Sequence, residues 1–250
     1  MKAALFCGDR SASRRVLEEM VLQGVDVVAC VFEEAKPNGI SEFCDKEGIP
    51  TYTYQTMGEA LHDGLFPEFD WGISYLYHRI LKSNIIDFAH GRIINFHPAP
   101  TGVHRGVAAC CFCVLHGYKE WAVTAHYLTT GVDSGSIIAQ KWFVLENITT
   151  AQEAEALTQE NSIQLFKEVL QKMLAGDPLE GTPQEAFRGV YYSRADMERD
   201  KKVELTDDAL IVRRKAEAFW FPPYHGAFVE IGGERFTLVS QKLLEKLQQN

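Results

Sequence analysis

The chain of 250 residues lacks several features that mark common protein classes. No apolar run reaches the roughly 18 residues that a membrane-spanning helix requires. The apolar segment at the N-terminus is too short for a signal peptide. Neither an internal repeat nor a low-complexity segment is present, and 46% of the residues are hydrophobic, enough for a real core. We therefore expect no membrane partner and one main domain with a small addition.

Basic residues are also few, since 25 Lys and Arg stand against 34 Asp and Glu, which gives a formal net charge of −9. Nucleic-acid binding depends on a basic surface that neutralises phosphates. The charge therefore argues against nucleic acid as the main partner and favours small molecules.

The cysteines do not indicate a metal site. Three of the six are crowded into Cys110-Cys111-Phe112-Cys113, which is too compact for a simple tetrahedral site. We expect no metal, and we expect free thiols that act as small buried hydrophobic groups. Reduced thiols are typical of the cytoplasm, so the expected location is cytoplasmic.

The first half of the sequence alternates short apolar runs with helical patterns. The run Val25–Phe32 is almost continuously apolar, as in a strand of a buried parallel sheet. Gly24 just before it is a good helix stop. The pattern predicts an α/β fold with a Rossmann-like, mostly parallel sheet. No GxGxxG is present, which disfavours a dinucleotide site of the NAD type.

The second half predicts two further features. Trp121–Leu128 and Ile137–Leu145 suit an antiparallel strand pair at a sheet edge, and Thr150 with Glu153 forms a capping box before a long helix. After that helix the composition changes, and Phe228–Val239 reads as a β-hairpin around Gly232-Gly233. We therefore expect a catalytic domain over residues 1–180. The small region 181–250 is expected to contact substrate or a second copy of the chain, as in a homodimer.

Three residue types stand out for their chemistry. Asn95 and His97 lie two apart at a predicted strand end, so an extended backbone projects both from one face. Asp133 lies in Gly131-Val-Asp133-Ser-Gly135, just after a strand that contains His126. Amide, imidazole and carboxylate together can polarise a carbonyl, take a proton and hold the base in place. Acyl transfer to an amine requires these functions.

Other segments allow both functional and structural interpretations. Gly8-Asp9-Arg10-Ser11 opens the first helix, and is either an anion site with Arg10 or an ordinary cap. Tyr75–Leu81 leaves the sheet at the edge that carries ligands in open α/β folds, although core packing explains it equally well. His104-Arg105-Gly106 either brings a cation to the same pocket or forms a solvated loop.

An aromatic cluster, Phe219–Gly226, marks the C-terminal region. Trp220 and Tyr224 are candidates for stacking on a nucleobase. The alternative, which we favour for Phe219 and Phe221, is that the rings attach the C-terminal region to the main domain.

Together these motifs resemble those of the formyltransferases that use 10-formyltetrahydrofolate. The chain carries the family's motifs in order: Asn95-Phe-His97-Pro98, Arg105-Gly106, His126 and Gly131-Val-Asp133-Ser-Gly135. Arg79-Ile80-Leu81 is similar to the family's folate-facing loop, and the resemblance covers about residues 1–175. One departure is Ala99–Val103, where the family commonly has Ser-Leu-Leu-Pro.

The resemblance implies a formyltransferase fold and a role for each motif residue. Asn95 would donate a hydrogen bond to the formyl oxygen. His97 would either accept the proton of the attacking amine, directly or through water, or stabilise the oxyanion. Asp133 would orient and polarise His97 or relay the proton. The resemblance implies that the cosubstrate 10-formyltetrahydrofolate binds at the residues Tyr77, His78, Arg79, Ile80, Leu81 and Gly131.

Among the family's branches, the chain resembles the sugar-nucleotide N-formyltransferases best. The expected reaction is formylation of the amine of a nucleotide-linked dideoxy amino sugar, for surface polysaccharide or flagellar glycan. The candidate substrate-binding residues are Arg10, Arg105 and Arg194 for the pyrophosphate, with Trp220 and Tyr224 for the base. Methionyl-tRNA or glycinamide ribonucleotide as acceptor, a formate-releasing hydrolase, and a non-catalytic protein that binds folate or a sugar nucleotide remain alternatives.

Overall fold

The structure of the protein is a computed structural model that describes residues 1–8, 10–34, 39–184 and 187–248. The chain divides into two compact units. The first comprises residues 1–97, 123–141 and 161–187, and the second residues 98–122, 142–160 and 188–250. The predicted functional division near residue 180 stays a prediction.

The strands and helices follow the order that the sequence predicts for the first half. The strands are β1 Lys2–Cys7, β2 Asp26–Phe32, β3 Thr51–Thr53, β4 Trp71–Tyr75, β5 Ile93–His97, β6 His104–Gly106, β7 Glu120–Tyr127, β8 Ile137–Val144, β9 Val190–Tyr192, β10 Phe228–Ile231 and β11 Glu234–Thr237. The helices are α1 Ser11–Leu22, α2 Gly39–Glu47, α3 Tyr54–His62, α4 Ser83–Phe88, α5 Ala109–Leu115, α6 Ala151–Ala175, α7 Arg194–Lys201, α8 Ala209–Ala218 and α9 Gln241–Gln248.

Seven strands form the main sheet in the order β3-β2-β1-β4-β5-β7-β8. Strands β1 to β5 pair in parallel, and β7 pairs antiparallel with β5. The backbone hydrogen bonds from Tyr127 N to Ser136 O and from Leu145 N to Lys119 O join β7 and β8 in the antiparallel sense. The predicted mostly parallel α/β sheet with an antiparallel edge is confirmed.

Aromatic rings form much of the core of the first unit. The ring centroids of Phe6 and Phe69 lie 6.4 Å apart, those of Phe66 and Phe69 lie 6.3 Å apart, and those of Phe66 and Phe88 lie 5.9 Å apart. All three pairs meet edge to face. Such pairs add stability beyond the area they bury. Phe6 lies in β1 and Phe69 lies just before β4, and both strands end at the edge where the candidate site lies.

The second unit contains the hairpin and a small strand pair. Strands β10 and β11 pair antiparallel, and Gly232 and Gly233 have φ of 62° and 84°, as a type I′ turn requires. The predicted hairpin is therefore confirmed. Strands β6 and β9 pair in parallel, which the sequence did not indicate, because strands of three residues carry too little periodicity.

Side-chain caps account for helix starts. Thr150 and Glu153 form the predicted capping box, with Glu153 N donating to Thr150 Oγ1 over 3.3 Å and Thr150 N donating to Glu153 Oε2 over 3.1 Å. Helix α8 begins at Ala209, because the side chain of Asp208 accepts the Leu210 N–H at 2.7 Å. Among the described residues, no helix combines the length and hydrophobicity needed to cross a membrane.

All six cysteines are free and buried or half-buried. Cys110 and Cys113 stand at the spacing of a redox motif, but burial raises the pKa of both thiols, that of Cys113 to about 12. Burial likewise raises the pKa of Cys111 to about 12. A reactive thiol needs a lowered pKa, so these three are packing groups.

We expect the native protein to react slowly with Ellman's reagent at pH 8, since a thiol with a pKa near 12 is almost entirely protonated there. Unfolding in guanidinium chloride should release all six thiols to rapid reaction. Mass mapping of the labelled peptides identifies which cysteines react first. Rapid labelling of native Cys113 would contradict this account.

Candidate active site

The structure brings Asn95, His97 and Asp133 together within the first unit. Asn95 and His97 project from the last residues of β5, and Asp133 lies in the loop between β7 and β8. Asp133 Oδ1 is 3.4 Å from His97 Nδ1 and 3.5 Å from Asn95 Nδ2. The side chains of His97 and Asp133 are 5% and 11% exposed, so both lie in a largely water-excluded place where charge interactions are strong.

His126 adjoins this group because β5 and β7 pair with Asn95 opposite His126. Its Nδ1 lies 2.8 Å from the carbonyl oxygen of Tyr127, which can only accept, so Nδ1 carries the hydrogen. In the neutral ring Nε2 is then an acceptor, and Asn95 Nδ2 donates to it over 3.1 Å. His126 therefore holds the Asn95 amide nitrogen on the side that faces Asp133.

The loop that carries Asp133 has a tightly constrained backbone. Asp133 has φ of 47°, a left-handed conformation that Asp tolerates better than most residues. A Cβ on Gly135 would collide with the carbonyl oxygen of Tyr127, and one on Gly131 would collide with Ser134 Oγ. Glycine is thus needed on both sides of Asp133, because the backbone there comes too close to other atoms to leave room for a side chain. These two contacts fix the direction of the Asp133 carboxylate.

Gln184 holds the same loop from the far end of the first unit's sequence. Its Nε2 donates to Asp133 O over 3.0 Å and to Gly135 O over 2.7 Å. These two bonds satisfy carbonyls that a strand would otherwise pair. Sequence reasoning missed Gln184 because only the folded chain brings it back, about fifty residues after Asp133.

The predicted cofactor segment, residues 77–81, leaves β4 in an irregular conformation. Glu33 Oε1 accepts hydrogen bonds from His78 N at 2.6 Å and lies 2.9 Å from His78 Nδ1. A Cβ on Gly8 would collide with the carbonyl oxygen of Leu76, so the ends of β1 and β4 lie in close contact. The ends of β1, β2 and β4 therefore meet at the sheet edge where Asn95 and His97 lie.

The side chains of this segment point in different directions. Leu81 is buried at 2% exposure, whereas Ile80 is 66% exposed. The Arg79 guanidinium lies 5.9 Å from the centre of the Tyr54 ring. Burial raises the pKa of Tyr77, so its hydroxyl stays protonated over the physiological range. Because the segment is neither helix nor strand, its peptide groups take no part in the hydrogen-bond ladder of the sheet.

The predicted substrate residues lie in both units. In the first, Arg10 occupies the N-cap position of α1 without a side-chain capping hydrogen bond, while Asp9 of the predicted anion site lies outside the described residues. In the second, Arg105 Nε donates to Thr101 O over 3.1 Å, and the exposed Arg194 begins α7. Whether these arginines bind pyrophosphate stays a prediction.

The C-terminal aromatic residues divide into buried and accessible ones. Phe219 is 2% exposed and packs with Val203 and Ala227 in the core of the second unit. Tyr224 is 58% exposed, Trp220 is half-buried, and the Tyr224 ring centroid lies 5.6 Å from that of Phe221. Trp220 and Tyr224 are thus partly accessible to solvent, unlike Phe219.

The cluster around Asp133 has a defined chemical capacity. A carboxylate beside an imidazole favours proton acceptance at the other ring nitrogen, and an amide N–H next to it can stabilise a negative oxygen. In the part of the chain that the structure describes, no group of three or more His, Cys, Asp or Glu side chains is arranged to hold a metal ion. The side chains described here suit acyl transfer by acid–base and hydrogen-bond catalysis.

Comparisons with known proteins agree with this geometry. A family model described as Formyl transferase matches residues 1–170. The methionyl-tRNA formyltransferase of Paramagnetospirillum magneticum is 23% identical over 246 residues, which cover 94% of this chain and 80% of that protein.

Solved structures of similar fold include two formyltransferases. One is an N-formyltransferase from Helicobacter canadensis in complex with folinic acid and dTDP-3-aminofucose, with a TM-score of 0.75 and 20% identity over 94% of this chain and 86% of that one. The other is a 4-N formyltransferase from Francisella tularensis, with a TM-score of 0.77 and 18% identity over 96% of both chains. At these identities the structural similarity establishes the fold alone.

The close approach at Gly135 predicts a specific mutational effect. Gly135→Ala places a methyl group against the Tyr127 carbonyl, so the Asp133 loop must shift and the protein should lose about 2–3 kcal/mol of stability. Gly58→Ala is the matched control, because Gly58 lies inside α3 with open space around it and should gain about 0.5–1 kcal/mol. Urea denaturation measures both changes, and equal stabilities of the two variants would contradict the steric account.

Proposed function

The chain belongs to the formyl transferase family, and from this premise we propose that it transfers the formyl group of 10-formyltetrahydrofolate to the amine of a nucleotide-linked amino sugar. The observation that carries the proposal is the convergence of Asn95, His97 and Asp133 in a buried group at the end of β5. Amide, imidazole and carboxylate are the groups that N-formyl transfer needs.

In the proposed mechanism the amine nitrogen attacks the formyl carbon, and the carbonyl oxygen becomes an oxyanion. Asn95 Nδ2 has two hydrogens, one of which is held by His126 Nε2 at 3.1 Å. The other points toward Asp133 Oδ1 over a long 3.5 Å, so an incoming oxyanion can compete for it. Asn95 thereby donates a hydrogen bond to the oxyanion.

His97 receives the proton that the amine loses on attack. Its Nδ1 faces Asp133 Oδ1, and donation from that nitrogen leaves Nε2 as the base. Asp133 also stabilises the imidazolium that forms. When the tetrahedral intermediate collapses, the bond to N10 of the folate breaks, and His97 returns the proton to that leaving nitrogen, which completes the balance of atoms and charge.

Residues 77–81 and Gly131 form the proposed folate site. The irregular backbone after β4 offers peptide groups to the pterin edge, and Glu33 holds the segment through its 2.6 Å bond to His78 N. The Helicobacter canadensis relative, which has a similar fold, was solved with folinic acid, and this supports a folate as the cosubstrate here.

The choice of acceptor rests on fold similarity and charge. Both structural relatives are named as N-formyltransferases, and one binds dTDP-3-aminofucose. Trp220 and Tyr224 offer ring faces for a nucleobase, and Arg10, Arg105 and Arg194 are the proposed pyrophosphate ligands. Methionyl-tRNA is the second candidate because a curated relative acts on it, but the net charge of −9 disfavours an RNA acceptor.

Several attributes of the protein are proposed with this function. The acceptor belongs to surface polysaccharide or flagellar glycan synthesis, the protein is cytoplasmic, and it forms a homodimer. The hairpin β10–β11 supports a dimer, since Ile231 and Phe236 are 53% and 46% exposed on a two-stranded sheet. Sedimentation velocity tests the dimer directly.

The first experiment mixes the protein and 10-formyltetrahydrofolate with UDP-, dTDP- and GDP-linked amino sugars, methionyl-tRNA and glycinamide ribonucleotide. Mass spectrometry should detect the gain of one CO group on a single amino-sugar nucleotide. Formylation of methionyl-tRNA alone would replace the proposed acceptor. No formylated product from any acceptor would refute the proposed reaction.

His97→Asn should lower kcat about 10²-fold or more, because it removes the proposed base. His116→Asn is the matched control, since His116 follows α5 in the second unit and should keep the wild-type rate. Circular dichroism and thermal melting verify that both variants are folded. A wild-type rate in folded His97→Asn would exclude His97 from the mechanism.

Trp220→Ala should raise the KM for the sugar nucleotide more than it lowers kcat, as the loss of uniform binding does. Trp142→Ala is the control, because Trp142 is 56% exposed in the same unit and has no proposed ligand. Steady-state kinetics at saturating folate separates the two constants. An unchanged KM in the Trp220 variant would leave that ring with a structural role.

A further inference from the structure

Ser74 is a polar residue in an otherwise apolar, buried stretch of β4. It is 2% exposed, and its neighbours in the strand are Ile73 and Tyr75, both almost fully buried. Parallel pairing of β4 with β5 sets Ser74 beside Asn95, and the Ser74 Oγ lies 2.8 Å from Asn95 Oδ1. A buried hydroxyl in such a strand requires a partner, and here the partner is the proposed oxyanion donor.

The direction of this hydrogen bond follows from the far end of the network. The Tyr127 carbonyl can only accept, so His126 Nδ1 donates and neutral His126 Nε2 accepts. Asn95 must then present its NH₂ group to His126 and its oxygen to the other side. Ser74 Oγ–H therefore donates to Asn95 Oδ1, and all three bonds run in one direction from Ser74 to Tyr127.

This direction matters because an amide is nearly symmetric in shape. Rotation of the Asn95 amide by half a turn would place Oδ1, an acceptor, where the mechanism needs a donor. With Ser74 in place, that rotation sets the Asn95 NH₂ against a hydroxyl that must turn, and sets Oδ1 against the bare Nε2 of His126. In the rotated state the turned hydroxyl can accept from the Asn95 NH₂ group but no longer donates to Oδ1, and the bond to His126 is lost, because Oδ1 and Nε2 are both acceptors.

We propose that Ser74 is a positioning residue of the reaction. His126 selects the orientation of the Asn95 amide, and the Ser74 hydroxyl, by donating to Oδ1, holds the amide in that orientation so that Nδ2–H faces the developing oxyanion. The inference rests on the proposed function of Asn95, and it extends that function to a residue that never touches the substrate. A neutral hydrogen bond contributes about 1 kcal/mol, so the expected effect on the rate is about a factor of five to ten.

The test compares three variants at residue 74 with one control variant at residue 162. Ser74→Ala and Ser74→Val remove the hydroxyl, while Ser74→Thr keeps it with the shape of Val. We expect kcat to fall about five- to ten-fold in the Ala and Val variants and to recover in Thr, with the KM for folate changed less than about two-fold in all. Ser162→Ala, which removes a buried hydroxyl from α6, is the fourth variant and should keep the wild-type kcat.

A merely structural role predicts a different pattern. If Ser74 only fills space, Thr and Val should lose activity equally because they share one shape, and that outcome would overturn the proposal. Wild-type kcat in Ser74→Ala would overturn it as well. Equal changes in kcat and melting temperature for Ser74→Ala and Ser162→Ala would do the same, since they would reflect only a lost buried hydroxyl.

A second measurement separates this inference from the proposed reaction. The side-chain ¹⁵N–¹H signals of Asn95, identified by their absence in Asn95→Ala, report the hydrogen bonds of its amide without any acceptor substrate. We expect these signals to shift in Ser74→Ala and to return in Ser74→Thr. Unchanged signals would refute the positioning role even in an active enzyme, whereas an inactive wild type with shifted signals would refute only the proposed reaction.

Discussion

The site depends on the backbone carbonyl of Tyr127. This oxygen accepts the Nδ1–H of His126 at 2.8 Å, which decides the tautomer of that ring. The same oxygen leaves no room for a Cβ on Gly135, which fixes the course of the loop that carries Asp133. One acceptor-only group therefore sets both the orientation of the Asn95 amide and the approach of the carboxylate. Its own position is set by the antiparallel pairing of β7 with β5.

Strand pairing converts this local constraint into a site. Ser74, Asn95 and His126 lie on three neighbouring strands at matching register positions, so their side chains form a row across the sheet. A slip of one residue in either pairing would point one of them to the opposite face. The aromatic core behind β1 and β4 stabilises the pairing, and the close contact of Gly8 with Leu76 holds the strand ends together. Packing in the first unit thus preorganises polar groups that bear on the chemistry.

The sequence predicted the parts of this arrangement that are local. Alternating apolar runs and helix stops indicate the parallel sheet, and the two-residue spacing of Asn95 and His97 places both on one face. Partners distant in the chain were not predictable in this way. In the sequence, Ser74 is one hydroxyl in an apolar strand, and Gln184 follows the long helix. Strand register places Ser74 beside Asn95, and the later course of the chain places Gln184 against the Asp133 loop.

The sequence by itself determined the fold class, the family through its motifs, and the identity of the amide, imidazole and carboxylate groups. The fold class follows from periodicity and spacing, which local backbone geometry imposes on any chain with this pattern, whereas the family follows from the resemblance of the motifs to those of the formyltransferases. Only the tertiary structure decided which nitrogen of His126 carries the hydrogen and which atom of Asn95 faces the reaction. Hydrogen-bond direction depends on the partner at the far end, here the Tyr127 carbonyl, and that pairing exists only once the strands have assembled.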